Sequence, residues 1–294
     1  MKMVKKRRKK WDGVQIWSTV LLTVFIAVIL IPFWNAVVIS LETARAYSLH
    51  PASLIPMEFT LNNYKEIFAK GSALLLAYKG TLITTVFGTA AGMTVSILAA
   101  YAFSRPFPGK KFFFRIMVFT MFFGGGLVPT YMLYRNLGLL NTYAGVVIVS
   151  LVSVYNILIM KNGFEETPAE LQEAAMIDGA NDLVIFGRVM LPLQKPLIAT
   201  FTLFTIVGYW NNWYWPMLML TKGDKNVLQL FLRNIVNQTI LKNMDGASMA
   251  AEQQQFAQGI KMASVFVVML PIMVVYPFLQ KYFTKGILLG AVKA

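Results

Sequence analysis

The sequence predicts an all-α integral membrane protein of six transmembrane helices, with a cytoplasmic helical hairpin between the fourth and the fifth. Three observations predict it. The 294-residue chain is 57% hydrophobic and 14% charged with a mean hydropathy of +0.59, too apolar for an ordinary soluble domain. Six continuous apolar runs reach the roughly 20 residues a helix needs to cross a bilayer. The long acidic interruption before the fifth run reads as helix, tight turn, helix.

The first run, residues 14–41, follows MKMVKKRRKK; it is longer than a signal-peptide core and lacks a small-x-small cleavage site, so it is read as an uncleaved span. The Lys5–Lys10 cluster then sets the N-terminus in the cytoplasm. The second and third runs, 80–103 and 112–133, flank SRPFPGKK, where Pro106, Pro108 and Gly109 stop one helix before the next begins. Gly124–Gly126 with Pro129 loosens the outer half of the third span. The fourth, fifth and sixth runs are 142–160, 196–220 and 262–283, and six crossings return Lys285 and Lys293 to the cytoplasm. Lys and Arg are more numerous on the inner segments, so the net charge of +14 reflects topology and not a nucleic-acid-binding face.

Continuous runs exclude an outer-membrane barrel, whose strands alternate over about ten residues. The chain has no cysteine, hence no disulfide or thiolate metal site, and its lone His50 has no cluster of carboxylates for a metal. No linker or internal repeat divides residues 1–294, which read as one transmembrane domain with long outer loops at 42–79 and 221–261.

In the interruption, 161–195, Thr167 is placed to cap a helix, Pro168 suits its first position and Glu170 completes a capping box. Leu171, Ala174 and Ala175 form a narrow face that another surface can approach closely. Asp178-Gly179 ends the helix, and Asn181 or Asp182 caps the next. In the fifth run, Trp210, Asn211, Asn212, Trp213 and Tyr214 bring together rings that stack on sugar faces and amides that bond sugar hydroxyls, the best candidates for a substrate path.

Glu173-Ala174-Ala175, then Gly179, then Val189-Met190-Leu191-Pro192 resembles the EAA loop of ABC-importer permeases, with Val189 where the pattern has Ile. Leu61–Tyr64, Ala100–Arg105, Phe107–Lys110, Leu139–Thr142, Trp210-Asn211 and the tail Gly290–Ala294 extend the resemblance to type I permeases of the maltose-importer type, and to the subgroup for polysaccharide-derived oligosaccharides such as alginate. The resemblance implies the type I importer fold, with Glu173, Ala174, Ala175, Asp178, Gly179, Leu191 and Pro192 coupling the permease to an ATPase. It further implies a second permease subunit in a heterodimer, two ATPase subunits that hold ATP and Mg, an extracytoplasmic solute-binding protein, an oligosaccharide substrate (acidic, alginate- or pectin-like ones included) and a bacterial cell membrane. The chain has no G-x-x-x-x-G-K-[ST] phosphate loop and is therefore expected to be a transport subunit without ATPase or other enzyme activity. A membrane-embedded enzyme would need paired acids or a His/Asp cluster within the spans, and an ion-coupled transporter internal repeats and a midplane ion site; the sequence displays neither.

Overall fold

The computed structural model describes residues 12–69, 72–244, 258–274 and 277. The Lys5–Lys10 cluster, the end of the sixth predicted span, the C-terminal lysines and the Gly290–Ala294 tail lie outside the described residues. The chain divides into two compact units, Met1–Ile67 with Thr239–Phe266 and Phe68–Gln238 with Val267–Ala294.

In the first unit, helix α1 (Gly13–Ser40) coincides with the first predicted span and is exposed along most of its length, as a helix solvated by lipid should be. At its end the chain folds into α2 (Ala44–Leu49) and α3 (Asn62–Ile67). Buried Asn63 donates from Nδ2 to the carbonyls of Ser40 and Glu42, at 3.1 and 3.2 Å. Buried Glu42 in turn accepts the Met57 N–H at 3.0 Å. The stretch Asn62–Ile67 of this loop is thus a short helix whose Asn63 and Ile67 face inward.

The second unit is built along α4 (Ala73–Ser104), which starts about two turns before the predicted second span. Its buried stripe is small or hydroxylated, including Ala77, Gly80, Thr81, Thr84, Gly88, Gly92 and Ser96. Small residues let other elements approach the helix closely. A Cβ on Gly88 would come within 2.5 Å of the Tyr209 ring, and one on Gly80 within 1.9 Å of the Asn226 carbonyl. Thr81 Oγ1 accepts the Leu228 N–H at 2.8 Å, so the stripe also satisfies backbone delivered to it.

Three predicted spans are not single helices. The run 112–133 is α5 (Lys110–Phe122) and α6 (Leu127–Asn136), bent by 114°. The glycines do more than loosen this helix: Gly126, at φ +83°, breaks it. The run 142–160 is α7 (Tyr143–Val149) and α8 (Val154–Glu165), bent by 56° about Ser150–Ser153. Ser153 causes this second break by accepting the Asn156 N–H as the cap of α8. The α9 (Ala169–Ile177) and α10 (Asp182–Leu193) pair forms the hairpin; the run 196–220 becomes α11 (Lys195–Trp210), a turn and α12 (Tyr214–Met219), before α13 (Leu228–Met244). The sixth run overlaps helix Gln258–Val274. Among the described residues, α1 and α4 are individually long and apolar enough to cross a membrane, and counting each bent pair as one span raises the number to five.

Two cores stabilise the second unit. At the hairpin end, Met93 and Ala100 pack with Ile157, Met160, Phe164, Ile185, Met190 and Phe201. Towards the other end of α4, Val146, Met219, Leu220, Val227 and Leu230 pack together.

Candidate functional site

The hairpin turn is made by local chemistry. Gly179 adopts φ +81° and donates its N–H to the Met176 carbonyl at 3.0 Å, while Ala180 donates to Ala175 at 2.9 Å. These two bonds cap α9 in the Schellman arrangement that a left-handed glycine permits. Asn181 Oδ1 then accepts the Val184 N–H at 2.9 Å and starts α10.

The predicted start of α9 is different. Thr167 does not cap it: its hydroxyl accepts from Gln194 Nε2 at 3.1 Å, and α9 begins at Ala169 after an extended Pro168 with no side-chain cap. Gln194 Nε2 also donates to the Gly163 carbonyl at 2.7 Å, so one amide stitches the beginning of the loop to its end. Glu170 remains in the first turn, where its charge suits the helix dipole.

The hairpin faces two ways. Ala175, Val189 and Leu191 pack against the core, whereas Glu173, Ala174, Asp178, Gly179 and Pro192 are exposed. The small-residue face predicted at Leu171, Ala174 and Ala175 is therefore divided, with Ala175 turned inward. The most open apolar side chains are Ile177, 87% exposed, and Leu183, 79% exposed, on either side of the turn. Sequence reasoning did not select these two, although both sit next to the Asp178–Asp182 turn it identified. A π-helical turn at Phe186–Met190 precedes Pro192, which lacks an N–H and whose ring crowds the carbonyl four residues back.

A polar strut joins the hairpin to the end of α4. Arg105 donates to the Tyr101 hydroxyl from Nε and Nη2, at 3.2 and 3.0 Å, and pairs with Asp182 at 3.6 Å. The Tyr101 ring lies 4.7 Å from the Phe186 centroid and 5.7 Å from that of Phe164. Nearby, Glu165 is bound by Lys161 and Lys110. Burial of Glu165 opposes its ionisation, but the bonds and charges of the two lysines together hold its carboxyl below the ordinary value.

The predicted path residues separate. Asn212 lines a cavity of about 340 Å³ together with Tyr209 and Trp215, while Trp213 and Tyr214 stand outside it. Trp213 lies beneath Arg233, whose guanidinium carbon is 4.4 Å from the ring centroid. Asn211 accepts from Gln229 at 3.1 Å, and Trp210 is buried with its indole N–H unpartnered among the described residues. The rest of the cavity wall was not predicted: Ser96 and Gly92 come from α4, Ser150, Leu151 and Ser153 from the break between α7 and α8, Asn156 from the first turn of α8, and Phe204 and Thr205 from α11, which also supplies Gly208. A Cβ on Gly92 would meet the Leu151 carbonyl at 2.9 Å, so the irregular backbone of the break rests on α4. Such backbone is tolerated at membrane depth where it is buried in protein or lines a cavity.

Residues 4–289 match the family described as binding-protein-dependent transport system inner membrane component. The chain is 38% identical to the polygalacturonan/rhamnogalacturonan transport system permease protein YtcP of Bacillus subtilis (strain 168), over 92% of this chain and 95% of that one. It is 36% identical to protein LplC of the same organism, over 91% and 90% of the two chains. A solved structure of a bacterial ABC transporter involved in the import of the acidic polysaccharide alginate is similar, with a TM-score of 0.81 and 30% identity, covering 94% of this chain and all of the other.

Proposed function

Because this chain belongs to the family of binding-protein-dependent transport system inner membrane components, with the type I importer fold, we propose that it is the permease subunit through which an ATP-driven importer carries an oligosaccharide into a bacterial cell. The observation that carries the proposal is the two-faced hairpin. Its inner side is welded to the core of the second unit, and its outer side presents Ile177 and Leu183 within an acidic, ordered turn. Exposed apolar residues on a rigid protrusion are how one subunit seats in a groove of another. Glu173, Ala174, Asp178 and Gly179 frame this surface. Movement of a docked ATPase is delivered through Ala175, Leu191 and the α10–α11 junction at Gln194, where the helix axis turns by 79°.

In this reading two ATPase subunits hold ATP and Mg, a second, non-identical permease subunit completes the pathway, and an extracytoplasmic binding protein delivers the substrate. Both termini lie in the cytoplasm with the hairpin, and the bent pairs together with α1, α4 and the helix at 258–274 supply six crossings. The names of the similar proteins, for polygalacturonan and rhamnogalacturonan and for alginate, support an oligosaccharide cargo derived from acidic polysaccharides.

The test is purification from the native membrane in mild detergent, followed by reconstitution with the proteins that accompany the chain. The expected result is two ATPase copies and one further permease, with saccharide uptake that stops when ATP is withheld. Uptake independent of ATP, or Mg-ATP turnover by the isolated chain, would overturn the proposal.

A further inference from the structure

The basic end of α5 lies at the level of the hairpin. Its first residue, Lys110, pairs with Glu165 at the end of α8, and Arg105, just before it in the chain, pairs with Asp182 of α10. Lys161 also closes on Glu165, so these three cations are committed within the chain. Lys111 and Arg115 are not. Both are exposed, and neither has an ion-pair or hydrogen-bond partner among the described residues. They stand four residues apart and so share one face of α5, a helix with no Asp or Glu to neutralise them. The same face continues as Phe119, 57% exposed, and Phe122, 73% exposed, four and seven residues beyond Arg115. Phe123 widens it, its ring stacked on that of Phe119 with centroids 4.4 Å apart. At 1.5 Å per residue the two cations lie about 6 Å apart along the axis, and Phe122 stands about 10 Å beyond Arg115.

We propose that this face of α5 docks an anionic phospholipid from the leaflet on the hairpin side, its phosphate on Lys111 and Arg115 and an acyl chain along Phe119 and Phe122. Charge at one end and open rings further along the helix reproduce the order of head and chain in such a lipid. The guanidinium of Arg115 offers a fork that matches two phosphate oxygens, and the Lys111 ammonium adds a point charge one turn away. Each cation near the membrane surface favours an anionic over a zwitterionic lipid by about fivefold. A soluble phosphate would use the cations and leave the rings idle, whereas a zwitterionic lipid would bring its own positive charge to a site that holds two. The lipid would lie against the helix that Lys110 ties to Glu165, at the entrance to the hairpin loop. The inference rests on the membrane reading of the protein and on no particular cargo.

The experiment places the complete importer in nanodiscs of phosphatidylcholine that carry a trace of photoactivatable phosphatidylglycerol or, in parallel, of photoactivatable phosphatidylcholine, and maps the labelled peptides. The phosphatidylglycerol probe should label residues 110–123 about 25-fold more than the phosphatidylcholine probe, the product of the two cations. Lys111→Gln and Arg115→Gln should each lower that labelling about fivefold and leave the phosphatidylcholine signal unchanged, while Lys222→Gln, which removes an exposed cation from the loop after α12, should alter neither. Excess glycerophosphoglycerol, the same headgroup without chains, should not displace the lipid probe. Equal labelling by the two lipids in the unmodified complex overturns the inference, as does displacement by the soluble headgroup, which would reduce the site to one for a free anion. Absence of label on residues 110–123, with α5 covered by the second permease subunit, overturns it as well. The comparison of lipids on unmodified protein needs no variant and decides even if a substitution prevents assembly. Uptake by the same complex that still depends on ATP would leave the proposed function standing after any of these failures.

Discussion

Asn141 holds Thr221 by both of that residue's donors: its Oδ1 accepts the Thr221 N–H at 2.8 Å and the Thr221 hydroxyl at 3.2 Å. The same oxygen accepts the Lys222 N–H at 3.0 Å, and Asn141 itself donates to the Met219 carbonyl at 2.7 Å. Asn141 adopts φ +57°, a conformation asparagine tolerates better than most residues. This clamp fixes the turn before α7 to the end of α12. Asn141→Ala should destabilise the protein by about 2 kcal/mol, since three donors lose their acceptor and a Cβ-bearing apolar residue keeps the strained φ. Asn141→Gly, which relieves the strain but not the lost bonds, should fall between the two. Thermal unfolding of the three proteins in one detergent checks the order.

At the hairpin, a Cβ on Gly179 meets nothing within 4 Å, so any cost of substitution there is conformational. Gly179→Val should abolish most transport while Gly179→Asn, which tolerates positive φ, retains a large part of it. Ala174→Arg, on the exposed side, should reduce transport by disturbing ATPase docking, with membrane insertion unchanged. Uptake and co-purification of the ATPase, measured together, test each variant; equal transport by Gly179→Val and the unmodified protein would remove the turn from the mechanism.

Tyr101 offers a separation of packing from polarity. Tyr101→Phe keeps the contacts with Phe164 and Phe186 and loses the bonds from Arg105, so its cost should be about 1 kcal/mol or less. Tyr101→Ala empties the space between those rings and should cost about 2 kcal/mol or more. A denaturation series in which the two substitutions cost the same would contradict this division.

The lowered carboxyl of Glu165 gives a pH dependence of definite sign. A group whose folded value lies below its unfolded one contributes stability above the unfolded value and loses it as the pH falls through the folded one. Acidification through and below the ordinary carboxylate range should therefore lower the melting temperature of the unmodified protein more than that of Glu165→Gln. Identical slopes for the two would show that the lysine pair contributes nothing.

The sequence revealed most where structure is local. Gly179 and Asn181 made the hairpin turn legible because a positive φ and an Asx cap are decided within four residues. Thr167 misled for the opposite reason: the group that takes its hydroxyl, Gln194, is 27 residues away. The break between α5 and α6 was signalled by three glycines, whereas that between α7 and α8 has neither Gly nor Pro; Ser153 as a cap was its one local sign. Of the run Trp210–Tyr214, Asn212 alone lines the cavity, and this phase was not legible in the sequence. The turn after Trp210 sends Trp213 to Arg233 and Trp215 to the cavity, and no helical periodicity carries through such a turn.

The bend at Gly124–Gly126 leaves α5 about 20 Å long and α6 about 15 Å, against a hydrocarbon thickness of roughly 30 Å. Neither piece matches the slab alone, and with 114° between them the pair crosses over less than its summed length. With the pair as one crossing, lipid beside it should thin, at a fraction of a kcal/mol for each Å of mismatch. Acyl-chain length thus becomes a working parameter of the transporter: vesicles of short-chain phosphatidylcholine should support faster uptake than long-chain ones, even though no headgroup has changed.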